Sequence, residues 1–584
     1  MSRKKKKLSD AGAPPQGLWR RLWPYALVFS AAFALRWLHI LEAGRSYPFF
    51  YAFAGDAASY NDWAQRIAAG AWIGGKVFYQ DPLYPYGLAL IYRFAGYHTF
   101  LVRFLQIAMG SLGCVVIYKT AEIYFDRKTA LAAGLASAAY GLSIFYEGTL
   151  LKDGLSLFLS AAAMVFLAPA RREPSQGRWF LSGLCLGLLV LTRGNAVLMI
   201  PFLLAWPFWL CGRALRRPAL RYGALFLLGA LIPMLPSLAH NYLVGKDIVL
   251  TTSQAGPNFY IGNRAGASGT YEPLASGRQT PEFEAEDARR IAEFETGTTL
   301  KPSEVSRFWF KKTLREISAE PGRWLRLLAQ KAWMFADGFE MPDIEDYYLA
   351  KRFSAVLRLP LLSYGFMFPL AVLGMLCGFS RFKELFPLYV FVAVNAVSVV
   401  MFLFLGRYRL PSVPALIVFA AFGSLLLWER FRARRYGFAA AGAAFLAAAF
   451  WLVNRGKNEK IAFYMTTSLA NLATHYQSDK QNDKAISILR EALQMDPADA
   501  QAHFFLANNY LDMKNYAAAV AEYGETLRLD PRHSQAMYLL GAAYFYQGDA
   551  KRAREEWGRV LEIFPSHPQA RQGLELLKQR RSAQ

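Results

Sequence analysis

The sequence contains little cysteine. Its 584 residues include only four cysteines, and none of them belongs to a CxxC pair. All four lie in or beside apolar segments, at Cys114, Cys185, Cys211 and Cys377. The two large polar regions have no cysteine, so the sequence encodes neither a disulfide framework nor a zinc knuckle there.

The common catalytic motifs are also missing. The sequence has no HExxH zinc motif, no GxSxG nucleophile turn and no Walker loop. Four of the seven histidines fall in C-terminal repeats, where surface or packing roles suit them: His475, His503, His533 and His567. The residues left for chemistry are carboxylates and basic side chains.

What the chain has in quantity is apolar residues, at 54% of the sequence. They are concentrated in runs of about twenty residues, the length that an α-helix needs to cross a bilayer. We expect a mainly α-helical, polytopic membrane protein with eleven spans, near 22–41, 99–123, 130–147, 153–170, 179–193, 195–211, 222–240, 356–378, 385–405, 410–428 and 436–453.

The net charge of +23 is unevenly distributed. Regions 241–355 and 457–584 are nearly neutral, so the excess lies in short loops and in the N-terminal SRKKKK segment. This is the pattern of topology signals in a membrane protein and argues against a nucleic-acid surface. The basic loops include Arg127/Lys128, Arg171/Arg172/Arg178, Arg213/Arg216/Arg217/Arg221, Arg381/Lys383 and Arg430/Arg432/Arg434/Arg435.

The positive-inside rule then fixes the expected topology. It places the basic N-terminus, 1–21, in the cytosol. It places loops 42–98, 147–153 and 241–355, and everything after 454, on the outer side. In a bacterium this is a multi-pass inner-membrane protein with periplasmic loops and a periplasmic C-terminal domain.

The first outer loop carries the most distinctive stretch, AGDAASYNDWAQRIAAG followed by YQDPLYPYGLAL. Small and apolar residues at helical spacing predict a surface helix that stops near Gly70, and the Pro-rich piece begins another short helix. Spacing alone leaves Asp56 evenly open between a helix N-cap and a functional carboxylate.

Charged residues recur at other outer edges of the spans. Glu147, Lys152 and Asp153 lie within seven residues of one another, and charges at this depth indicate a site by default. The alternative is a salt-bridged helix end. Arg407 and Arg409, in GRYRLPSVPAL, oppose the positive-inside trend, and either a phosphate partner or lipid head groups would account for them.

The outer region 241–355 is too long for a connector. Its first part, HNYLVGKDIVLTTSQAGPNFYIGN, predicts β-type runs between tight turns. An acidic helix near 281–296 follows, and then two amphipathic helices broken at Pro321–Gly322. We expect a lid over the membrane surface. Lys331 either meets a lipid phosphate or only snorkels.

The C-terminal part has an internal repeat. Pro497, Pro531 and Pro565 are 34 residues apart. Matching small, apolar and aromatic residues recur at Leu472/Ala473/Tyr476, Leu506/Ala507/Tyr510 and Leu540/Gly541/Tyr544, and then at Ala485, Ala519 and Ala553. This is the tetratricopeptide pattern, so 461–581 is predicted to form an α-solenoid of about three repeats with a capping helix at 568–581.

The membrane part, 22–455, resembles a known family. GDAASYNDWAQRIAAG and DPLYPYGLALIYRFAG look like the first outer loop of GT-C glycosyltransferases of family 39, which includes protein O-mannosyltransferases and the lipid A aminoarabinose transferase. VRFLQIAMGSL, LTRGNAVLMIPFLL, PGRWLRLLAQKAWMF and GRYRLPSVPALIVFAA are similar further blocks in the same order. The resemblance covers about 20–430.

The resemblance implies roles for named residues. Asp56 matches the acid at the family's catalytic centre, Asp153 matches a second acid, and Glu147 is added here as a third candidate. Tyr84 matches a tyrosine near the donor phosphate. The family's adjacent second acid is replaced by Ala57, which makes a metal-bridging pair less expected and leaves a divalent metal cofactor open.

Some members also carry a lysine after the Pro-Leu-Tyr motif, where this chain has Pro85 and Tyr86. Lys152, Arg407 and Arg409 are therefore the candidates for contacting the donor phosphate.

The resemblance implies an inverting transfer of a sugar from a polyprenyl-phosphate donor to a hydroxyl of a protein or an envelope glycolipid. Asp56 would be the general base, and Asp153 would position the acceptor or stabilise the oxocarbenium-like centre. The repeats would bind a protein acceptor or a partner complex. Two alternatives stay open: an oligosaccharide ligase of the O-antigen ligase type, and a non-enzymatic membrane scaffold.

Overall fold

The computed structural model describes residues 18–167, 175–211, 216–274, 281–343, 345–563 and 568–582. Most of the basic N-terminal segment, together with Arg171, Arg172, Arg213 and His567, lies outside them. The chain divides into two compact units, Met1–Arg455 and Gly456–Gln584. The described residues form helices and no strand, and their one β-bridge joins Tyr140 to Leu362.

The helices of the first unit up to residue 245 are α1 (Leu18–Ser46), α2 (Gly55–Ala68), α3 (Leu83–Ala95), α4 (Thr99–Tyr124), α5 (Arg127–Ala138), α6 (Gly141–Glu147), α7 (Asp153–Leu167), α8 (Gln176–Val190), α9 (Met199–Cys211), α10 (Arg216–Leu231) and α11 (Met234–Gly245). The remaining helices of this unit are α12 (Ala255–Ile261), α13 (Pro281–Thr296), α14 (Pro302–Ala319), α15 (Pro321–Ala336), α16 (Tyr347–Ala350), α17 (Ala355–Arg358), α18 (Tyr364–Gly378), α19 (Phe382–Met401), α20 (Val413–Arg432) and α21 (Tyr436–Asn454).

Five helices in the described part of the chain are long and apolar enough to span a membrane, and they begin at Leu22, Thr99, Tyr364, Gly406 and Tyr436. The pair α10 and α11, bent by 45°, makes a sixth if it counts as one span. The eleven expected spans exceed this number for two reasons. The helix from Tyr364 runs on to Met401 and takes in two of them, and others fall on short helices such as α7.

Glycines allow two of the membrane helices to cross closely. A Cβ added at Gly183 or Gly187 of α8 would lie 2.0 Å from the Phe226 carbonyl or 2.2 Å from the Ala230 carbonyl of α10. Gly229 faces the Phe180 carbonyl in the same way, at 2.2 Å. Small residues that let backbones approach are a common basis of helix packing in membranes.

The first outer loop folds largely as its sequence predicts. It contains α2 and α3, and Gly70 takes a left-handed φ of +116° just after α2. The helix, however, begins at Gly55, with Ala54 at the N-cap and no side-chain cap hydrogen bond. The N-cap reading of Asp56 is therefore wrong, because its carboxylate lies inside the first turn and binds other groups.

Region 241–355 is helical rather than partly β. The predicted β-type runs are wrong: residues 246–254 are irregular, and α12 follows them. Of the Gly, Asn and Ser residues that suggested turns, Gly245 ends α11, whereas Gly256 and Asn258 lie inside α12. The acidic helix and the break at Pro321 are confirmed by α13, α14 and α15. Trp309 of α14 is buried against α13 and donates a hydrogen bond to the Ala288 carbonyl at 3.0 Å.

The second unit is a stack of helices, as the 34-residue period predicts. Its members are α22 (Lys457–Ser478), α23 (Asn482–Met495), α24 (Ala500–Asp512), α25 (Tyr516–Leu529), α26 (Ser534–Gln547), α27 (Ala550–Ile563) and α28 (Pro568–Ser582). The small residues of the repeat, Ala485, Ala519 and Ala553, are fully buried, which is the packing that close helix pairs require.

The third repeat contains a larger core side chain than the first two. Trp557 occupies the position of Leu489 and Tyr523, and Gly541 stands where the earlier repeats have alanine. A Cβ added at Gly541 would lie 2.6 Å from the Trp557 Nε1, and this indole donates to the Tyr538 carbonyl at 3.0 Å. The glycine thus makes room for the indole.

Gly541→Ala should destabilise the repeat unit by about 1–3 kcal/mol, because the hydrogen-bonded indole cannot move away from the added methyl group. The matched control is Gly558→Ala, on the next helix, where an added Cβ meets nothing within 4 Å. This control should stabilise by about 0.5–1 kcal/mol through helix propensity. Urea unfolding of residues 456–584 measures both effects, and equal stability of G541A and the parent would contradict the packing argument.

Candidate active site

Segments that are far apart in the sequence surround one polar cavity of about 180 Å³. Asp56 and Tyr60 come from α2, and Gln80 and Asp81 from the turn before α3. Lys152 precedes α7, and Arg193 follows α8. Region 241–355 contributes Glu284 of α13 together with Tyr271 and Asp343, and the 3₁₀ turn Gly406–Ser412 contributes Arg407 and Tyr408.

Arg407 lies at the centre of this cluster and is 4% exposed. Its Nη2 is 2.6 Å from Asp56 Oδ2 and 2.5 Å from Asp343 Oδ2. Its Nη1 is 3.6 Å from Asp153 Oδ2. One guanidinium therefore holds three carboxylates that come from three different parts of the chain.

Two further ion pairs complete the cluster. Arg193 pairs with the other oxygen of Asp153, and its guanidinium lies 4.6 Å from the centre of the Tyr408 ring. Lys152 pairs with Asp81. Both pairs are buried, and such pairs hold their geometry because breaking one would leave a charge without a partner.

Burial and the shared guanidinium of Arg407 act in opposite directions on the pKa values of Asp56 and Asp343. Burial raises the pKa of the Asp56 carboxyl, but the charges of Arg407 and Lys152 outweigh that effect and hold the pKa below its usual value. For Asp343 burial prevails, and with the negative charges of Asp56 and Asp153 it raises the pKa despite Arg407. Asp56 is thus the more strongly ionised of the two.

Glu284 lines the cavity from α13 without a basic partner among the described residues. Its Oε1 accepts a hydrogen bond from the Tyr79 hydroxyl at 2.5 Å, and its Oε2 accepts one from Tyr271 at 2.9 Å. Burial, and to a smaller extent the charge of Asp56, raises the pKa of Glu284, although the two phenol hydrogen bonds oppose this. This carboxyl joins the outer region to the first loop.

No metal site is evident within the described ranges. They contain no group of three or more His, Cys, Asp or Glu side chains placed to hold a metal ion. The acids of the cavity instead face Lys152, Arg193 and Arg407. The structure therefore assigns no ligands to the divalent metal that the sequence left open.

Four of the seven predicted site residues come together in this cluster: Asp56, Asp153, Lys152 and Arg407. The three others lie outside the cluster. Glu147 pairs with Arg36 at 2.5 Å, both side chains being 1% exposed, and Gly110 leaves room for its carboxylate. Tyr84 donates to the Gln106 Oε1 at 2.6 Å and packs edge-on against Tyr60.

Arg409 is the third predicted residue outside the cluster. It is fully buried, pairs with Glu340 and donates to the carbonyls of Asp337 and Phe339 at 2.6 and 3.2 Å. Lys331 likewise donates to backbone carbonyls, at Gly262 and Phe402, and burial lowers its pKa to about 7. These hydrogen bonds occupy both basic groups within the fold.

Sequence reasoning missed Asp81, Arg193, Glu284 and Asp343. Asp81 and Arg193 lie within the quoted blocks DPLYPYG and LTRGN, and a charge between two apolar runs was the available signal for Arg193. Asp343 and Glu284 had no such signal, since each is one of several acids in region 241–355. Only the tertiary packing selects them.

The family comparison finds matches in both units. Residues 80–240 match the model of the dolichyl-phosphate-mannose-protein mannosyltransferase family. Residues 476–525 and 506–568 match tetratricopeptide repeat models. The mannosyltransferase match begins in the turn that carries Asp81 and includes Lys152, Asp153 and Arg193.

Curated relatives cover a similar part of the chain. An undecaprenyl phosphate-alpha-4-amino-4-deoxy-L-arabinose arabinosyl transferase of Pseudomonas aeruginosa is 31% identical over 181 residues, which is 29% of this chain and 33% of the relative. One from Sodalis glossinidius is 30% identical over 183 residues, or 30% and 32% of the two chains. The chain thus spans about a third of the length of these relatives.

Solved structures show only a distant likeness. ArnT from Cupriavidus metallidurans in the apo state is 16% identical, with 69% of this chain and 78% of that one covered at a TM-score of 0.33. The archaeal oligosaccharyltransferase AglB from Archaeoglobus fulgidus is 14% identical, with 80% and 60% covered at 0.44. By sequence, residues 80–240 of the membrane unit are thus similar to the dolichyl-phosphate-mannose-protein mannosyltransferase family, and residues 476–568 of the second unit match tetratricopeptide repeats.

Proposed function

We propose that this chain is a membrane glycosyltransferase that moves a sugar from a polyprenyl-phosphate donor to an acceptor hydroxyl on the periplasmic face. The observation that carries the proposal is the cavity around Arg407. Four segments that the charge pattern puts on one side of the membrane meet there: 42–98, 147–153, 241–355 and the turn at 406–412. The relatives that are named as undecaprenyl phosphate-dependent arabinosyl transferases support the same donor class.

The cavity has the groups that such a transfer needs. The acceptor oxygen attacks the anomeric carbon while the bond to the phosphate oxygen breaks, so a single displacement inverts that centre. Charge develops on the leaving phosphate, and Arg407 and Lys152 are the basic candidates to stabilise it. A carboxylate of the cluster accepts the proton of the acceptor hydroxyl.

Region 241–355 serves as the lid of this site. Glu284 and Tyr271 both belong to that region. Glu284 accepts one hydrogen bond from Tyr271 and another from Tyr79 of the first loop. A lid that closes over the donor removes water and strengthens the ionic contacts inside. The lipid chain of the donor stays in the bilayer beside the apolar helices, in the inner membrane of a bacterium.

The acceptor is a protein or an envelope glycolipid, and the repeat unit supplies a surface for a protein acceptor or a partner complex. A pure scaffold would not need Asp56, Lys152 and Asp153 to converge, and the cavity between Asp56 and Lys152 therefore argues against that alternative. The first-loop position of Asp56 argues against a ligase of the O-antigen type, whose signature residues are expected in a late outer loop.

The proposal is tested with the purified full chain in proteoliposomes. Undecaprenyl phosphate-linked 4-amino-4-deoxy-arabinose and polyprenyl-phosphate mannose serve as the two labelled donors, with an envelope extract from cells lacking this chain as acceptor. We expect label to pass from one donor to protein or glycolipid, and mass spectrometry identifies the product. If neither donor lipid is consumed, a glycosyl transfer with these donors is wrong.

Asp56→Asn should lower the rate of transfer about 10²-fold or more, since it removes one of the three carboxylates that orient Arg407 at the donor phosphate. The control is Asp62→Asn, an exposed acid on the same helix, which should keep the normal rate. Initial rates in proteoliposomes with equal amounts of folded protein measure the effect. Near-normal transfer by D56N would remove Asp56 from the site.

Glu147→Gln should reduce stability more than catalysis, because it leaves the buried guanidinium of Arg36 without its counter-charge. Breaking such a pair typically costs about 3–5 kcal/mol. The double variant R36M/E147L, which removes both charges, should recover much of the loss. Thermal unfolding in detergent and the rate per folded molecule separate the two effects; a normal Tm with a rate lowered 100-fold would show that Glu147 acts in catalysis.

A further inference from the structure

The acids around Arg407 differ in how many of their oxygens are already hydrogen-bonded. Asp56 has both engaged: Oδ2 accepts from Arg407 at 2.6 Å, and Oδ1 accepts from the Gln80 amide at 2.9 Å. A carboxylate with both oxygens bound to donors, one of them a cation, is a weak base. Asp56 is therefore well placed to hold Arg407 and poorly suited to take a proton.

Asp153 is held away from the cavity. Its side chain has no exposed area, and one oxygen is occupied by Arg193. The other oxygen faces Arg407 at 3.6 Å and accepts no hydrogen bond. A substrate hydroxyl cannot reach it without opening the Arg193 and Arg407 contacts.

The remaining cavity acids are less available than Asp343. Glu284 accepts a phenol hydrogen bond at each oxygen. Asp81 pairs with Lys152 through Oδ2, and its Oδ1 has no hydrogen-bond partner within the described residues but is buried away from solvent. A substrate hydroxyl therefore reaches neither acid without displacing the groups around it.

Asp343 differs from all of these acids. Within the described residues its one polar contact is the ion pair with Arg407 at 2.5 Å, and it accepts no hydrogen bond there. It lines the cavity, and its side chain is 18% exposed. Its carboxylate thus keeps free lone pairs on the side where a substrate would lie.

We propose that Asp343, rather than Asp56, is the proton acceptor of the transfer reaction. The inference rests on the proposed function and deepens it. Asp56 and Asp343 share one nitrogen of Arg407, so the guanidinium holds both carboxylates in place. The family resemblance implies Asp56 for this step, whereas the arrangement of the oxygens favours Asp343.

The proposed transfer forms one bond, breaks one bond and moves one proton. The acceptor oxygen forms a bond to the anomeric carbon, the bond from that carbon to the phosphate oxygen breaks, and the electron pair leaves with the phosphate. The proton of the acceptor hydroxyl passes to a free oxygen of Asp343. Product release then returns it to water or to the departing phosphate, which restores the carboxylate.

The electrostatics around Asp343 agree with this role. Burial and the neighbouring acids raise its pKa above its usual value, which makes it a better base than an ordinary aspartate. The groups that influence it, or are influenced by it, are Asp56, Asp153, Glu345, Arg193, Arg407, Tyr146, Tyr271 and Tyr408. Glu345 is the main rival for a pH effect, because burial raises its pKa to about 7.

The experiment uses the full chain in proteoliposomes with whichever labelled donor the wild type consumes. Asp343→Asn should lower the rate about 10²–10⁴-fold, the usual contribution of a general base. The wild-type rate should rise with pH through the pKa of Asp343, because only the ionised carboxylate accepts a proton. This acid limb should shift in D343E and disappear in D343N.

Two controls keep the result specific. Glu345→Gln should retain the acid limb, and added formate should restore part of the rate to D343A but not to D56A. Thermal unfolding reports whether each variant is folded. The inference is overturned if D343N keeps the wild-type rate and pH profile, if the limb is lost in E345Q instead, or if formate rescues D56A alone.

Failure of the inference and failure of the proposed function can be distinguished. If the wild type consumes neither donor, the proposed function is wrong, and Asp343 has no proton to accept from such a reaction. If the wild type transfers sugar and D343N does so equally well, the function stands and the assignment of the proton acceptor falls.

Discussion

The membrane unit depends on one buried guanidinium. Arg407 lies where a charge is costly, and it is tolerated because carboxylates from α2, from the start of α7 and from region 241–355 surround it. The same contacts draw these distant segments together. A cavity with polar walls is the result, since two of the acids that neutralise Arg407, Asp56 and Asp343, also face the space between the segments. The need to neutralise Arg407 therefore accounts both for the ion pairs and for the position of the cavity.

The charge balance of this cavity has a chemical consequence. The ionic contacts described here involve four acids, Asp56, Asp81, Asp153 and Asp343, and three basic residues, Lys152, Arg193 and Arg407. Glu284 adds a further carboxyl to the cavity wall. An anionic phosphate that enters adds further negative charge. Burial raises the pKa of Glu284, so this acid holds a proton more readily and can limit the repulsion. The site thus combines cations for a phosphate with an acid that burial makes easier to protonate.

Local sequence signals predict the local structure well. Helical spacing with Gly70 and Pro82 predicts α2 and α3, Pro321 predicts the break before α15, and the 34-residue period predicts the repeats. The same reasoning gives more spans than there are described helices long and apolar enough to cross a membrane, and it predicts β-type runs that are absent from the described residues. Turn residues mark where a helix stops, but they do not say whether a strand follows.

The candidate site shows more clearly what a local sequence pattern cannot predict. A charge at a membrane edge selects Asp56, Lys152, Asp153 and Arg407 correctly as neighbours, and by the same criterion it also selects Glu147 and Arg409, which lie elsewhere. What separates them is the partner: Arg36 for Glu147 and Glu340 for Arg409, each far away in the sequence. Asp343 and Glu284 reach the cavity only because the helices of region 241–355 fold over the first loop. A local pattern reports that a charge needs a partner, and only the fold decides whether that partner is a fixed side chain or a substrate.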